Sequence, residues 1–244
     1  MPPSYAHDQK PFVIVALPRT GSTLLTSLLD SHPQIICHNE PFNPDAVYAS
    51  HRILRNEYMR AYREEDPIRF IDLLFSESRA QLAVGFKMLD YQAPDVQDHL
   101  LQRSDVRKLY LRRANLLSAY SSDLVANRVE QWRVLAGEKI RQAEIEFVPR
   151  EFDEFLKHAA EYERHVSDLI ERSDSPVMAL EYGELLNRKA QKKLLAFLCV
   201  DPTRKLETNY IRQNPGGLRK RFTNWDRVVA TLAGTPMEAW LRGD

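Results

Sequence analysis

Short apolar runs alternate with amphipathic segments along the chain. The runs lie at residues 12–17, 34–38, 81–89, 106–111 and 176–180. Apolar runs of this length, rich in β-branched residues and bounded by turn residues, are typical of buried strands. Strands that alternate with helical patterns favour an α/β fold with one mainly parallel sheet and helices on both faces. Such a fold places its ligands at the carboxyl ends of the strands.

Apolar residues repeat at three- and four-residue steps between these runs, which predicts helices. The helical regions are 24–29, two or three short helices within 45–78, 115 to about 132–135, 152–170, 181–198 and one that begins near Asn224 and Trp225. Gly137 is expected to end the helix that begins at Asn115. The helical insertion at 45–80 is also where we expect the acceptor to be recognised, a prediction from its position alone.

Length and charge limit the classes of function. The 244 residues suit a single domain spanning 1–244, and 34 basic residues balance 34 acidic ones. No net charge therefore favours nucleic acid or an anionic membrane as a partner, so any anion site must be local. No apolar stretch approaches membrane-spanning length, and residues 1–10 lack the apolar core of a signal peptide. The two cysteines, Cys37 and Cys199, lie too far apart in the sequence for a metal-binding motif. We expect a cytoplasmic protein without a transmembrane segment, with a homodimer as an option.

The segment from Pro18 to Thr23 joins the first strand to the first helix. It reads Pro-Arg-Thr-Gly-Ser-Thr. A loop that enters a helix presents unpaired backbone N–H groups and the positive end of the helix dipole, which suits phosphate or sulfate. Gly21 allows close backbone approach, hydroxyl groups add donors, and Arg19 adds a permanent forked cation. The alternative is that Ser22 or Thr23 only caps the helix.

The loop is not a standard nucleotide P-loop. That motif needs an earlier glycine and a Gly-Lys-Ser/Thr ending, whereas this segment has one glycine and no lysine. Instead, PRTGSTLL followed by SHPQIICHNEPF resembles the start of sulfotransferases that use 3′-phosphoadenosine 5′-phosphosulfate (PAPS). The bacterial carbohydrate sulfotransferases, including trehalose and nodulation-factor enzymes, are the most similar group in that family. The resemblance implies a P-loop-like fold whose loop holds the 5′-phosphosulfate through the residues Arg19, Thr20, Gly21, Ser22 and Thr23.

The resemblance also implies catalytic residues at two further strand ends. Glu40 matches the family's proposed general base, and it lies on a loop made rigid by Pro41 and Pro44. Partial burial is expected to raise the Glu40 pKa toward the working pH. His38 is the rival base, because histidine is the commoner choice on chemistry alone.

Lys87 interrupts the apolar strand pattern at 81–89, and burying a lysine is costly unless an anion meets it. The segment VGFKMLDY resembles the family's Gly-x-Lys strand, so Lys87 is expected to touch the sulfuryl group or the acceptor. The alternative is a lysine on an edge strand whose stem is buried and whose amine reaches water. Arg19 completes the predicted catalytic set.

Paired arginines at the end of the strand 106–111 suggest a second anion site. Sulfotransferases place here an Arg and, eight residues later on a helix, a Ser that hold the 3′-phosphate; Arg113 and Ser121 have that spacing. Arg112, Ser122 and Ser118 remain as alternatives. The basic segment near the C-terminus resembles the loop that folds over the nucleotide, and Arg219 is the residue expected to help there.

These features predict transfer of a sulfuryl group from PAPS to a hydroxyl of a carbohydrate or glycolipid-like acceptor, by in-line attack with a carboxylate base. No metal is expected, since the cations can neutralise the leaving phosphate. Two alternatives remain: a small-molecule kinase with an atypical loop, and a nucleotide-binding protein without catalysis. A kinase should carry the P-loop lysine that is missing here and should depend on magnesium, whereas a protein that only binds nucleotide would keep both anion sites and tolerate loss of Glu40.

Overall fold

Five parallel strands form one sheet in the order β2-β3-β1-β4-β5. The computed structural model describes residues 9–49, 57–76 and 80–243. The strands are β1 Lys10–Ala16, β2 Ile35–His38, β3 Ala83–Leu89, β4 Arg107–Arg112 and β5 Val177–Glu181. Both ends of each strand lie within two residues of the ends of a predicted apolar run. The predicted α/β fold with a parallel sheet is confirmed.

The helices cover both faces of this sheet. They are α1 Ser22–Asp30, α2 Glu57–Glu65, α3 Pro67–Ser76, α4 Pro94–Gln102, α5 Leu116–Val129, α6 Pro149–Glu171, α7 Arg188–Phe197 and α8 Trp225–Leu232. Phe12, Ile14 and Ala16 of β1 pack in the core that α1 and α7 cover. Val13 and Val15 face the opposite core, which α3, α4 and α6 cover. The alternation follows from the two-residue period of a strand.

A third core fixes the C-terminal segment against α5. Leu117 and Tyr120 of α5 pack there with Phe147 and Phe222. The backbone around Phe222 pairs with Ile145, whose N–H donates to the Arg221 carbonyl at 2.8 Å. These contacts hold residues 218–224 beside α5 and so beside its serines.

Two helix boundaries differ markedly from the predictions, and one helix was not predicted. The helix α5 ends at Val129, where Glu130 adopts a left-handed conformation, because residues 134–136 pair instead with 209–211. The helix α7 begins only at Arg188, capped by the Asn187 side chain, since residues 182–184 form a separate 3₁₀ turn. The helix α4 was not predicted from the sequence.

The described part of the predicted insertion contains α2 and α3. The rest of that region, residues 50–56 and 77–79, lies outside the described residues. So do residues 1–8, which form most of the segment where no signal core was expected. No helix within the described ranges is both long and apolar enough to cross a membrane. Because all five strands are parallel, the loops that follow them meet at one edge of the sheet.

Candidate active site

The loop after β1 turns sharply through two residues with positive φ. Arg19 has φ 63° and Gly21 has φ 93°, the left-handed region that favours glycine. A Cβ added at Gly21 would lie 2.5 Å from Tyr182 Cδ2, so a close contact also requires glycine there. The Thr20 hydroxyl donates to the Leu17 carbonyl at 2.7 Å and braces the turn. Its side chain is therefore directed inward, and the backbone N–H remains the group that Thr20 would offer an anion.

Gly21, rather than a hydroxyl side chain, occupies the N-cap of α1. No side chain caps this helix end, so the alternative that Ser22 or Thr23 only caps the helix does not describe the structure. The Thr23 hydroxyl instead accepts a hydrogen bond from Lys87 Nζ at 2.7 Å. The first-turn N–H groups of an α-helix have no acceptor within the helix, which makes this end suitable for an anion.

Glu40, Lys87 and Thr23 form a connected group at the ends of β2, β3 and the first loop. Lys87 Nζ lies 2.9 Å from Glu40 Oε1, and their side chains are 1% and 14% exposed respectively. The strand β3 lies between β2 and β1, so Lys87 belongs to the sheet interior. The alternative of an exposed amine on an edge strand is wrong. Burial lowers the pKa of Lys87, and the neighbouring Glu40 carboxylate opposes that effect.

The Glu40 pKa is lowered, not raised as predicted. Burial alone would raise the pKa, but the Lys87 charge and three hydrogen bonds outweigh it. One of these bonds comes from Lys87, and Asn43 Nδ2 and Gln92 Nε2 each donate to Glu40 Oε2 at 2.8 Å. The prediction was wrong because it considered burial without the donors that the fold brings to the carboxylate.

His38, the rival base, is fully buried at the end of β2, with 0% exposure. The Glu40 side chain keeps partial exposure at the open edge of the sheet. This difference favours Glu40 over His38 as the group that contacts an acceptor.

The structure separates Arg113 from its alternative Arg112. Arg112 ends β4 half-exposed, and its guanidinium pairs with Glu163 at 2.7 Å and with Glu181 at 3.5 Å. Arg113 is buried at 9% exposure, and its guanidinium lies 4.5 Å from the centroid of the Tyr182 ring. Successive residues of an extended chain point to opposite sides, which gives the two arginines different environments.

Arg19 and Arg113 meet at the same edge of the sheet. Arg113 Nη1 donates to the Arg19 carbonyl oxygen at 2.7 Å. The Arg19 guanidinium extends toward α5, where Nε donates to Ser122 Oγ at 3.1 Å and other nitrogens donate to the Trp132 carbonyl and to Gln213. Burial lowers the Arg19 pKa. The two predicted anion sites therefore adjoin.

Arg221, not Arg219, reaches the predicted 3′-phosphate residues. Arg219 is exposed, whereas Arg221 is 6% exposed and its Nη1 donates to Ser121 Oγ at 2.8 Å. The role predicted for Arg219 stays a prediction, and Arg221 joins it as a candidate because the third core directs Arg221 toward α5. Ser118, the remaining alternative, is buried one turn before Ser121 on the same helix.

Sequence reasoning did not find Asn43, Gln92 or Gln213. The first two are neutral amides in loops, and only the fold shows that both donate to Glu40. Within the described residues no three His, Cys, Asp or Glu side chains group as a metal site would require.

Comparison with known proteins places this arrangement in context. Residues 11–125 match the model of the Sulfotransferase family. Nodulation protein H of Rhizobium tropici is 25% identical over 239 residues, which cover 93% of this chain and 91% of that protein. A crystal structure of a sulfotransferase from Alicyclobacillus acidocaldarius shares the fold, with a TM-score of 0.51 and 20% identity over 96% of this chain and 94% of that one. The family match over residues 11–125 and the relative aligned along nearly the whole chain make this chain similar to sulfotransferases, and the crystal structure shares its fold.

Proposed function

We propose that the protein transfers a sulfuryl group from PAPS to a hydroxyl of a carbohydrate or glycolipid-like acceptor. The observation that carries the proposal is the adjacency of two sets of anion-binding groups at one sheet edge. Arg113 donates to the Arg19 carbonyl, so the first loop and the end of β4 can hold one ligand with two anionic ends. The nature of the acceptor rests on the resemblance to carbohydrate sulfotransferases.

The residues fit the donor nucleotide by their chemistry. Arg19, Thr20, Gly21, Ser22 and Thr23 would hold the 5′-phosphosulfate through their backbone N–H groups and the Ser22 and Thr23 hydroxyls, whereas the Arg19 guanidinium is directed toward α5. Arg113 and Ser121 would hold the 3′-phosphate, with Arg219 and Arg221 as candidates to assist. Guanidinium and hydroxyl groups donate hydrogen bonds, and a phosphate monoester accepts them.

Glu40 would accept the proton of the acceptor hydroxyl. The acceptor oxygen forms a bond to sulfur while the bond from sulfur to the phosphate oxygen breaks, which leaves a sulfate ester and adenosine 3′,5′-bisphosphate. The lowered pKa keeps the Glu40 carboxylate ionised at neutral pH but makes it a weaker base, so its contribution would come from contact with the hydroxyl whose proton is lost as the bond to sulfur forms. As Glu40 becomes protonated, Lys87 loses its anionic partner and its charge is available to the leaving phosphate, beside Thr23.

The test is transfer of labelled sulfate from PAPS to a panel of neutral oligosaccharides. Glu40→Gln keeps the side chain's size and should lower kcat by about 10²- to 10⁴-fold, the usual contribution of general base catalysis. Its affinity for adenosine 3′,5′-bisphosphate should not fall, because Glu40 is not part of the predicted phosphate sites and loss of its charge leaves the charge of Lys87 to the nucleotide. Glu171→Gln, an exposed change at the end of α6, is the matched control.

Three outcomes would contradict the proposal. Full activity of Glu40→Gln would show that Glu40 is not the general base. Thermal stabilisation of the protein by ATP with magnesium, but not by adenosine 3′,5′-bisphosphate, would favour a kinase. Nucleotide binding without transfer to any sugar would contradict the carbohydrate acceptor.

A further inference from the structure

The loop that carries Glu40 is closed by its own backbone hydrogen bonds. The Glu40 N–H donates to the Tyr48 carbonyl at 2.9 Å, and the Tyr48 N–H donates to the Glu40 carbonyl at 3.1 Å. Within the loop, the Asn43 N–H donates to the same Glu40 carbonyl at 3.2 Å, which forms a turn. The Asn43 side chain donates to the Glu40 carboxylate at 2.8 Å. The position of the carboxylate therefore depends on the shape of the turn at residues 40–43.

Arg63 of α2 holds this turn by its backbone. The side chain is buried, and its Nη1 donates to the Pro41 carbonyl at 2.9 Å and to the Asn43 carbonyl at 2.7 Å. Phe42, the residue between them, is buried in the core that α3, α4 and α6 cover. The turn is thus fixed on one side by an aromatic ring in the core and on the other by one guanidinium.

The two carbonyls are the contacts that compensate for the burial of the Arg63 charge. Among the residues that the structure describes, the carboxylate within 4 Å of the guanidinium is that of Glu64, at 3.5 Å, and the Glu64 side chain is 57% exposed. An ion pair with so exposed a partner contributes little. Burial lowers the pKa of Arg63, because it disfavours the charged form. Hydrogen bonds from a charged donor are stronger than those from a neutral one, so the turn is what this arginine stabilises.

We infer that Arg63 is a positioning residue for the reaction, which acts through the carbonyls of Pro41 and Asn43 to hold the Glu40 carboxylate in place. Its hydrogen bonds go to the backbone of the turn, so it guides the base without replacing it. A displacement of about 1 Å in a reacting group can lower a rate by about 10²-fold. The inference rests on the proposed function, because it assigns a role in the same sulfuryl transfer.

A double-mutant cycle separates positioning from general stability. Arg63→Met removes the donors and the charge but keeps an unbranched side chain, and it should lower kcat for transfer of labelled sulfate from PAPS to neutral oligosaccharides by about 10- to 100-fold. In a Glu40→Gln background the same change should lower kcat less than about threefold, because no carboxylate remains to be positioned. Losses that multiply in the double variant would overturn the inference.

Arg103→Met is the matched control for loss of a buried arginine. The Arg103 side chain is 13% exposed, and its guanidinium pairs with Asp72 at 2.9 Å and with Asp105 at 2.6 Å. It lies between α4 and the amino end of β4, whereas Glu40 follows the carboxyl end of β2. Arg103→Met should lower the midpoint of urea unfolding and leave kcat unchanged. A fall in kcat equal to that of Arg63→Met would attribute both losses to stability and contradict a positioning role.

Hydrogen–deuterium exchange tests the same contact without turnover. The N–H groups of Glu40, Asn43 and Tyr48 make the hydrogen bonds that close the loop. In Arg63→Met a peptide that covers residues 38–48 should exchange about tenfold faster or more, the factor that corresponds to one lost hydrogen bond from a charged donor. The same peptide should exchange at the wild-type rate in Arg103→Met. Wild-type exchange in Arg63→Met would overturn the inference, whichever acceptor the enzyme uses.

The outcomes separate this inference from the proposed function. Full activity of Glu40→Gln would contradict the proposed base, and therefore the proposed function. A large loss of kcat in Glu40→Gln together with wild-type kcat in Arg63→Met would leave the base in place and overturn the role of Arg63 alone.

Discussion

Replacing Gln92 with leucine should move the acidic limb of the pH–rate profile upward. Gln92 is fully buried, and its Nε2 donates to Glu40 Oε2 at 2.8 Å. Its Oε1 accepts from the Leu89 N–H at 3.2 Å, which fixes the amide's orientation. Leucine keeps a similar volume but donates no hydrogen bond, and burial keeps water from replacing the lost donor.

The size of the shift follows from the strength of that bond. A hydrogen bond to a charged group is worth about 1.5–3 kcal/mol. Since one pKa unit corresponds to about 1.4 kcal/mol, the Glu40 pKa should rise by about one to two units. The sign is positive because the lost donor stabilised the carboxylate. Lys87 and Asn43 still donate, so the carboxylate should remain ionised at neutral pH.

The assay is kcat/KM for sulfate transfer between about pH 4 and 8, because this quantity reports the ionisation of the free enzyme. Gln97→Leu is the matched control: Gln97 is also buried, and its Nε2 donates to the Leu89 carbonyl at 3.3 Å rather than to Glu40. The limb should move in Gln92→Leu and stay in Gln97→Leu. Equal limbs in Gln92→Leu and the wild type would refute the role of Gln92, and equal shifts in both variants would point to the shared turn after β3.

Two further predictions use matched pairs in the same way. Arg113→Met should weaken binding of adenosine 3′,5′-bisphosphate by about 10- to 100-fold, as expected for a lost charged hydrogen bond. Arg112→Met is the control and should change the affinity less than about threefold, as measured by calorimetry. Equal losses of affinity in both variants would contradict the assignment of Arg113. Gly21→Ala should lower the free energy of unfolding by about 2–4 kcal/mol, because alanine there combines a left-handed φ with a clash against Tyr182. Gly137→Ala should lower it by only about 1 kcal/mol, because the φ of Gly137, 91°, is similar but no atom lies within 4 Å of an added Cβ. Equal losses of stability in urea unfolding would exclude the clash.

The strands and the first loop could be predicted because local signals determine them. A short apolar run beside turn residues is sufficient evidence for β1, and Arg19 and Gly21 follow it directly. The end of α5 could not be predicted in this way. Residues 131–135 continue a helical pattern, but pairing with residues 209–211, distant in the sequence, determines their conformation.

The candidate site shows the same division. Sequence identified Glu40 and Lys87 separately, but their ion pair depends on the register that pairs His38 of β2 with Phe86 of β3. The donors Asn43 and Gln92 have no chemical signature of their own, so the sign of the Glu40 pKa shift required the fold. The contact of Arg221 with Ser121 also required the fold, because packing of Phe222 orients that segment.

A crystal structure with adenosine 3′,5′-bisphosphate tests the central claim most directly. The account predicts one molecule at the edge of the sheet, with its 5′-phosphate on the backbone of residues 19–23 and its 3′-phosphate on Arg113 and Ser121. A nucleotide bound elsewhere, or one that contacts only one of these two groups of residues, would contradict it.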